Sequence, residues 1–318
     1  MQIPQFFNLF QRKNQASGWC CIALNERGAY IVQLKRSGKQ IQVLQCEYIP
    51  LEKVAPLELS KLIKELRLFG EQFTTLLGYD EYQILMVDSP NVPPEELKTA
   101  IRFRIKDSLN YKVEDATVDV LQIPGSKISG NRPQSLYAVA ASNETIQRYI
   151  SLFEKAKLNL SVIDIPEMAQ RNIAALFEME ERGLIMLTFD ERGGLLTFTC
   201  QGELYLSRRL EITCGQLQDA NENSRQQYFD RVELEVQRSL DYFDRQFHQV
   251  SLNRILVCAP EKTRLTELLA NSLGLPVEKL DITQVMDISA VPALQDEEFL
   301  LNALPALGAA LRTESRAL

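Results

Sequence analysis

The sequence predicts an α/β protein built from two similar halves in tandem, with an inserted segment in the first half. From residue 19 to about residue 180, apolar and turn residues indicate three strands, a helix, a strand, an insertion, and further alternating elements. From residue 183 to residue 312, three strands followed by alternating helices and strands occur again. A chain of 318 residues is long enough for two domains of about 150 residues each.

This duplicated layout resembles the actin/Hsp70/sugar-kinase (ASKHA) superfamily. The resemblance implies an actin-like fold of two RNase H-like halves that hold a nucleotide between them. We therefore expect a tail at residues 1–18, a first half at residues 19–180 and a second half at residues 181–318. The insertion in the first half is expected at about residues 90–134.

In the first half, β-branched and aromatic residues separated by tight turns predict a three-stranded meander at residues 19–24, 29–35 and 40–48. A helix is expected at residues 57–77, followed by a buried strand at residues 82–87. The remaining elements expected in this half are strands at 118–123, 136–141 and 161–165 and helices that follow Asn143 and Pro166.

The insertion opens with a predicted helix that carries two stripes of side chains. Pro93 and Pro94, followed by two glutamates, are typical of a helix start. These side chains are candidates for binding an amphipathic peptide or an anionic membrane surface, and the alternative is an ordinary amphipathic helix with a solvated face. The apolar stripe is Leu97, Ile101 and Ile105, and the basic stripe is Lys98, Arg102 and Lys106.

The second half repeats the meander and then adds longer helices. A polar stretch at residues 216–224 precedes a long helix whose apolar face runs from Tyr228 to Phe247. The last helix is expected at residues 298–312 and contains Pro305, which is unfavourable by about 3 kcal/mol in a helix interior. The other expected elements are strands at 184–189, 195–200, 204–210 and 254–258 and a helix around Leu265.

Composition excludes several classes of protein. A net charge of −7 and a pI near 5.1 argue against a nucleic-acid-binding protein, which needs a basic surface. The six cysteines form no CxxC pair, and we expect reduced, buried thiols in a reducing cytoplasm. The single histidine, His248, cannot supply a histidine-based catalytic triad or metal cluster, and we expect it at the surface.

The first residues form a tail with a cluster of phenylalanines. No apolar run reaches the roughly 18 residues that a membrane-spanning helix requires, so any membrane attachment is expected to be peripheral. Phe6, Phe7 and Phe10 stand before Arg12 and Lys13. This pattern fits an interfacial anchor or a docking peptide, and it equally fits a segment that packs its aromatic rings onto the body.

Six short segments recur in a characteristic order along the chain. They are LEVQRSLDYF at 234–243, NRILV at 253–257, LGLPV at 273–277, ALGAALR at 306–312, VPPEELKTAI at 92–101 and DIPEMAQRN at 164–172. In order and spacing these loose motifs, which span about residues 19–312, resemble the PilM family of type IV pilus assembly proteins. Within that family the chain most resembles the MshI branch of the mannose-sensitive haemagglutinin (MSHA) pilus system, and it resembles the cytoplasmic part of GspL more distantly.

The resemblance to PilM implies an actin-like protein at the cytoplasmic face of the inner membrane. Its expected partner is a bitopic PilN-like inner-membrane protein, whose short cytoplasmic tail it binds. In this way it would couple the pilus assembly platform to the cytoplasmic motor ATPase. The expected location is therefore cytoplasmic and peripheral at the inner membrane.

Three departures from the superfamily's nucleotide-binding loops predict a pseudo-ATPase with no catalytic residue, no metal and no cofactor. Alanine replaces the metal-handling aspartate of the first loop, and the close backbone approach that glycines allow is lost. The alternatives are an ATPase or kinase that binds Mg-ATP through rearranged loops, and an unrelated binding module or actin-type filament. The degenerate positions are Ala23 and Asn25 in the first loop, Thr188 and Asp190 in the second, and Cys258 and Ala259 in the third.

Overall fold

The fold is taken from a computed structural model, which describes residues 17–68, 71–124 and 135–312. The candidate contact residues Phe6, Phe7 and Phe10 lie outside the described residues.

The elements of the first half alternate as expected after an initial meander. In chain order they are β1 (Ser17–Asn25), β2 (Gly28–Ser37), β3 (Gln40–Pro50), α1 (Pro56–Glu65), β4 (Gln72–Leu76), β5 (Tyr82–Asp88), α2 (Pro94–Ile105), β6 (Ala116–Gln122), β7 (Ser135–Ser142), α3 (Asn143–Lys155), β8 (Asn159–Asp164) and α4 (Pro166–Ala174).

The second half repeats this order without the insertion. Its elements are β9 (Arg182–Phe189), β10 (Gly194–Cys200), β11 (Glu203–Leu210), α5 (Cys214–Leu217), α6 (Glu222–Gln246), β12 (Ser251–Cys258), α7 (Leu265–Ser272), β13 (Val277–Lys279) and α8 (Glu297–Ala310). Pro305 lies inside α8, as the sequence predicted.

The two halves contain five-stranded sheets of the same design. The strand order is β3-β2-β1-β4-β8 in the first sheet and β11-β10-β9-β12-β13 in the second. In each sheet the meander is antiparallel, and its first strand pairs in parallel with the fourth. The predicted actin-like α/β fold with duplicated halves is confirmed by this shared topology.

The structure corrects one predicted helix and the limits of the insertion. The helix expected at residues 57–77 ends at Glu65, and Gln72–Leu76 forms β4 in the middle of the first sheet. The segments at 82–88 and 135–142, outside the insertion expected at 90–134, belong to a separate three-stranded sheet of order β5-β7-β6. The inserted part is therefore larger than the sequence indicated, because the local pattern does not show with which sheet a strand pairs.

Two helices cross between the five-stranded sheets, and each packs on the sheet of the opposite half. Helix α4 follows β8 of the first sheet but contacts β9, β10 and β11 of the second. Helix α8 follows β13 of the second sheet but contacts β1, β2 and β4 of the first. The helices approach closely at Gly308, where a Cβ would lie 2.1 Å from the Ala169 carbonyl oxygen.

The inserted sheet has two buried faces. Helix α2 covers one face with Ile101 and Ile105, which pack against Val120 and Leu136. The opposite face lies against both halves, and the Tyr137 hydroxyl accepts a hydrogen bond of 3.0 Å from the backbone amide of Ser207 in β11. Of the helices in the described ranges, none is sufficiently long and apolar to cross a membrane.

Candidate functional site

The cleft between the two crossing helices and the end of β9 is where an actin-like fold would hold a nucleotide. Here the cleft encloses a cavity of about 20 Å³. That volume admits about one water molecule. The residues around it include Tyr79, Gln170, Thr188, Asp190, Leu304 and Pro305.

The side chain of Gln170 in α4 bonds to the strands of the second sheet beside this cavity. Its Nε2 lies 2.9 Å from the Met186 carbonyl oxygen, 3.1 Å from that of Leu195 and 2.9 Å from Thr197 Oγ1. The Thr188 hydroxyl donates to Gln170 Oε1 at 2.8 Å. At Thr188, the position expected to begin the second nucleotide loop, the hydroxyl is therefore already hydrogen-bonded within the protein.

In the turn between β9 and β10, backbone amides donate hydrogen bonds to the side-chain carboxylate of Asp190. Asp190 Oδ1 accepts hydrogen bonds from the backbone amides of Arg192 at 2.7 Å and Gly193 at 3.0 Å. Backbone amides in such turns are the groups that bind phosphate in other proteins. Because the Asp190 carboxylate already occupies them, a phosphate would have to displace a negative charge from its donors.

The degenerate positions of the first and third loops are occupied by apolar, thiol or internally bonded side chains. Ala23 is half-buried on β1, and the exposed Asn25 side chain accepts a 2.9 Å hydrogen bond from the Arg27 amide within its own turn. Burial raises the pKa of the Cys258 thiol to about 12, so the thiol is neutral, and Ala259 packs with the apolar core. Ala23 and Ala259 therefore offer no ligand atom in their side chains, and the Asn25 side chain is already bonded within its turn.

A buried ionic cluster lies beside the cleft, and the sequence patterns gave no sign of it. Glu167, at the start of α4, has no solvent exposure. Arg209 of β11 donates to Glu167 Oε1 through Nε at 3.0 Å and Nη2 at 2.8 Å. Tyr82 of β5 donates from its hydroxyl to the other carboxylate oxygen. We call Glu167, Arg209, Tyr79 and Tyr82 the Glu167–Arg209 cluster.

The aromatic rings of this cluster stack against its cation. The Arg209 guanidinium lies 4.7 Å from the ring centre of Tyr79 and 4.5 Å from that of Tyr82, and its Nη1 donates to the Tyr79 carbonyl at 2.8 Å. Burial, together with the Glu167 carboxylate, raises the pKa of the Tyr82 hydroxyl. The cluster thus joins the inserted sheet, the crossing helix α4 and the second sheet through protein groups alone.

The predicted stripes of α2 have different environments in the structure. The side chains of Ile101 and Ile105 are buried in the core of the inserted sheet, and Leu97 packs partly buried beside them. Lys98 pairs with Asp119 at 3.0 Å, and Arg102 donates to the Val113 carbonyl at 2.8 Å. Whether these residues bind a partner stays a prediction.

The side chains of Phe103 and Lys106 lie on the solvent face of α2. Phe103 is 68% exposed, and Lys106, three residues further on, is exposed in the turn that ends the helix. Residues three apart on a helix are neighbours on its surface. Sequence reasoning missed Phe103 because it belongs to neither stripe.

Comparison with known proteins shows that this chain is similar to solved structures. No protein-family model and no curated protein matches this chain. The solved structure of a PilM–PilN type IV pilus biogenesis complex matches with a TM-score of 0.69 and 18% identity, covering 92% of this chain and 98% of that one.

Two other solved structures match this chain more weakly. The cytoplasmic domain of EpsL, an inner-membrane component of the type II secretion system of Vibrio cholerae, has a TM-score of 0.45 at 13% identity, covering 81% of this chain and 96% of that one. A Bacteroides thetaiotaomicron protein of unknown function has a TM-score of 0.48 at 11% identity, covering 93% and 99%. The chain therefore has the actin-like fold, along nearly its whole length, that is found in the PilM–PilN complex.

Proposed function

We propose that this protein is a non-hydrolysing actin-like scaffold of type IV pilus biogenesis that binds the cytoplasmic tail of a PilN-like inner-membrane protein. The observation that carries the proposal is the likeness to the PilM–PilN complex, which extends over 92% of this chain. The ordered sequence motifs at residues 234–243 and 306–312 point to the same family independently of the fold.

Helix α2 is the surface that we assign to this partner. Phe103 is 68% exposed, and the cationic side chain of Lys106 is next to it on the solvent face. Aromatic side chains are enriched in protein interfaces, where an apolar anchor supplies contact area and complementary charges select the partner. A short tail with an apolar side chain and an acidic one fits this surface.

The geometry of the cleft supports a scaffold without ATPase activity. The alternative, a nucleotide-binding ATPase or kinase with rearranged loops, requires amides that are free to bind a phosphate. In the β9–β10 turn the amides of Arg192 and Gly193 bond to Asp190. Phosphoryl transfer also requires groups that position magnesium, and none stands at Ala23 or Asn25.

The finer assignment is to the MSHA pilus system and its MshI branch. In that setting the protein would lie at the cytoplasmic face of the inner membrane, attached peripherally through its partner. The assembly platform and its motor ATPase would be further partners. This assignment rests on the resemblance of the sequence segments.

A peptide titration tests the proposed function. The full chain is titrated against a fluorescent peptide with the cytoplasmic N-terminal sequence of the PilN-like protein of the same organism. We expect saturable binding, and Phe103→Ser and Lys106→Glu should each weaken it by roughly tenfold without lowering Tm.

The matched control is Leu57→Ser, which removes an equally exposed apolar side chain (67%) from α1. This variant should bind the peptide like the unaltered protein. Absence of binding by the unaltered chain would overturn the proposed function. Equal binding by Phe103→Ser would instead remove α2 as the contact surface.

A further inference from the structure

Strand β5 forms an open edge of the inserted sheet. In the sheet order β5-β7-β6, every residue of β5 pairs with β7, from Tyr82 with Ala141 to Asp88 with Ser135. Among the residues that the structure describes, no strand pairs with its other side. Alternate backbone amides and carbonyls of an edge strand point away from the sheet. We call these outward groups at positions 82–87, with the side chains beside them, the β5 edge.

Two arginines mark the ends of the β5 edge. Before the strand, Arg209 Nη1 donates to the Tyr79 carbonyl at 2.8 Å, and at its last residue Arg104 Nη1 donates to the Asp88 carbonyl at 2.8 Å. Between them, no backbone group at positions 82–87 bonds to a described residue outside β7. The outward amides and carbonyls of this stretch are therefore available to another chain.

The other edge strands in the described part of the chain carry features that hinder pairing with a further strand. Register shifts interrupt the ladders of β3, β8 and β11, and β13 has only three residues. Strand β6 has the charged side chain of Asp119 at its centre, paired with Lys98. Bulges, short length and charges are means by which proteins prevent pairing between edges. Strand β5 has a continuous register and, before Asp88, no charged residue, proline or glycine.

Three side chains next to the β5 edge are of the kinds that protein interfaces favour. Met86 is 37% exposed, and its sulfur accepts a hydrogen bond of 3.3 Å from the Tyr242 hydroxyl of α6. The Arg208 guanidinium of β11 lies 5.5 Å from the centre of the Tyr242 ring. Methionine, arginine and aromatic residues are enriched in protein interfaces. A segment bound at the β5 edge thus meets an apolar contact and a cation beside its main chain.

The cation at this edge lacks a carboxylate partner. Arg208 is half-buried, and its Nε is buried without a hydrogen-bond acceptor, which is an unfavourable state for a donor. Within the described residues, no carboxylate forms an ion pair with it. The adjacent Arg209, by contrast, pairs with Glu167 at 2.8 Å. An acidic residue of a bound segment would supply the charge that Arg208 lacks.

We propose that the β5 edge binds an extended, acidic segment of a partner protein, which adds to the inserted sheet as a further strand. Main-chain hydrogen bonds to positions 82–87 supply affinity, as in other cases of strand addition. An apolar side chain of the segment packs on Met86, and an acidic one pairs with Arg208 and selects the partner. The contact uses neither the cleft nor the solvent face of α2, so it stands or fails separately from the proposed function.

A second copy of this chain is a poorer occupant of the β5 edge. The only acidic residue of β5 is Asp88, at the very end of the strand. Pairing of two β5 strands would therefore bring a second Arg208, rather than a carboxylate, to the unpaired cation. Like charges placed together across an interface disfavour the contact.

Fluorescence anisotropy with two designed peptides tests the charge preference of this surface. Both are labelled eight-residue peptides with threonine at every second position, and valine alternates with a charged residue at the others. The charged residue is glutamate in one peptide and lysine in the other. We expect the full chain to bind the glutamate peptide saturably and at least about tenfold more tightly than the lysine peptide. Arg208→Gln should abolish this preference, and Arg208→Glu should reverse it.

N-methylation of the glutamate peptide tests strand addition itself. Methyl groups on alternate amides block one edge of the extended peptide, so two methylated forms block its two edges in turn. One form should lose binding and the other should keep it, because only one edge can pair with β5. Equal binding by both forms would overturn the proposed strand addition.

Met86→Ser should weaken binding of the glutamate peptide by about tenfold. The matched control is Met179→Ser, which removes another exposed methionine (53%) whose sulfur also accepts a 3.3 Å hydrogen bond, from Asn253. This control and Phe103→Ser should bind like the unaltered protein. No saturable binding by the unaltered chain, or equal loss in the control, would overturn the proposal. Self-association in sedimentation that Met86→Ser abolishes would assign the edge to a second copy instead.

Discussion

Arg209 and Glu167 form a bonded pair across the junction of the three sheets, with guanidinium nitrogens 2.8 and 3.0 Å from a carboxylate oxygen that has no solvent exposure. The hydroxyl of Tyr82 satisfies the other oxygen of the carboxylate. Because this cluster stands next to the cleft, the relative position of the inserted sheet and the second half is held without any ligand.

Removing the cation from this pair should be costly. In Arg209→Gln the buried Glu167 carboxylate loses its charged partner, and loss of one member of a buried pair costs about 3 kcal/mol or more. We expect the free energy of unfolding from urea titrations to fall by about that amount. Arg192→Gln, a neighbouring cation whose side chain is 54% exposed, should change it by less than about 1 kcal/mol. Equal effects of the two variants would mean that the buried pair does not hold the junction.

The contact between α4 and α8 should tolerate no additional methyl group. In Gly308→Ala the new Cβ would lie 2.1 Å from the Ala169 carbonyl oxygen, so the helices must separate. Overpacking of this kind costs about 3 kcal/mol, and we expect a corresponding loss in thermal unfolding measurements. The control is Gly274→Ala, where no atom lies within 4 Å of the added carbon. An unchanged Tm for Gly308→Ala would show that the two helices are not tightly packed.

The strands of both meanders were predictable because short turns separate them and fix where each strand begins and ends. In the first half, the turns at residues 25–28 and 37–40 lie where the sequence placed them. The same signals recur around residues 190–194 and 201–203 in the second half. The duplication follows directly from these two local patterns.

Strand β4 was not predictable from its pattern. Phe73 and Thr74 are both buried, so the segment shows no alternation of buried and exposed side chains and reads as a continuation of α1. Arg67, two residues after the end of α1, has a left-handed φ of 58° but is not the glycine that commonly marks a helix end. Short buried strands that follow a helix are ambiguous for this reason.

The Glu167–Arg209 cluster was not predictable for a different reason. Its members Tyr82 and Arg209 lie 85 and 42 residues away from Glu167 along the chain. No local spacing brings them together, and only the packing of three sheets does. The degenerate loop positions could be named from the sequence, whereas the junction with its own internal bonds could not.

Alkaline pH should weaken the fold through its buried thiols. Burial raises the pKa values of Cys21, Cys46 and Cys258 to about 12, compared with 9.0 for an ordinary thiol. The folded protein therefore keeps protons that the unfolded chain releases, and stability is fully present below about pH 9 and lost as pH rises toward 12. Each such thiol should lower the free energy of unfolding by about 1.4 kcal/mol per pH unit in this range.

Urea unfolding in the presence of a reductant, at about pH 8 and about pH 10, measures this effect. Cys258→Ala should reduce the pH dependence by the share of one thiol. Replacement of the half-buried Cys214 by alanine is the matched control and should reduce it less. A free energy of unfolding that stays constant over this range would contradict the burial of these thiols.

Substitutions on the two faces of α2 should differ strongly in their effect on the free energy of unfolding. Ile101→Ala empties a site with no solvent exposure and should cost about 3 kcal/mol of stability. Phe103→Ser alters a side chain that is 68% exposed and should change the free energy of unfolding by less than about 0.5 kcal/mol. Thermal unfolding of both variants checks this division. A large loss for Phe103→Ser would mean that this ring is part of the core rather than a contact surface.

Calorimetric titration of the purified full chain with Mg-ATP tests most directly whether the protein is a scaffold that binds no nucleotide in its cleft. The proposal predicts no heat of binding and no shift in Tm at millimolar ligand, because the amides of the β9–β10 turn and the hydroxyl of Thr188 are already bonded within the protein. Saturable binding with a micromolar Kd, accompanied by a Tm that rises with ATP concentration, would contradict it, because only a ligand held by the folded state stabilises that state.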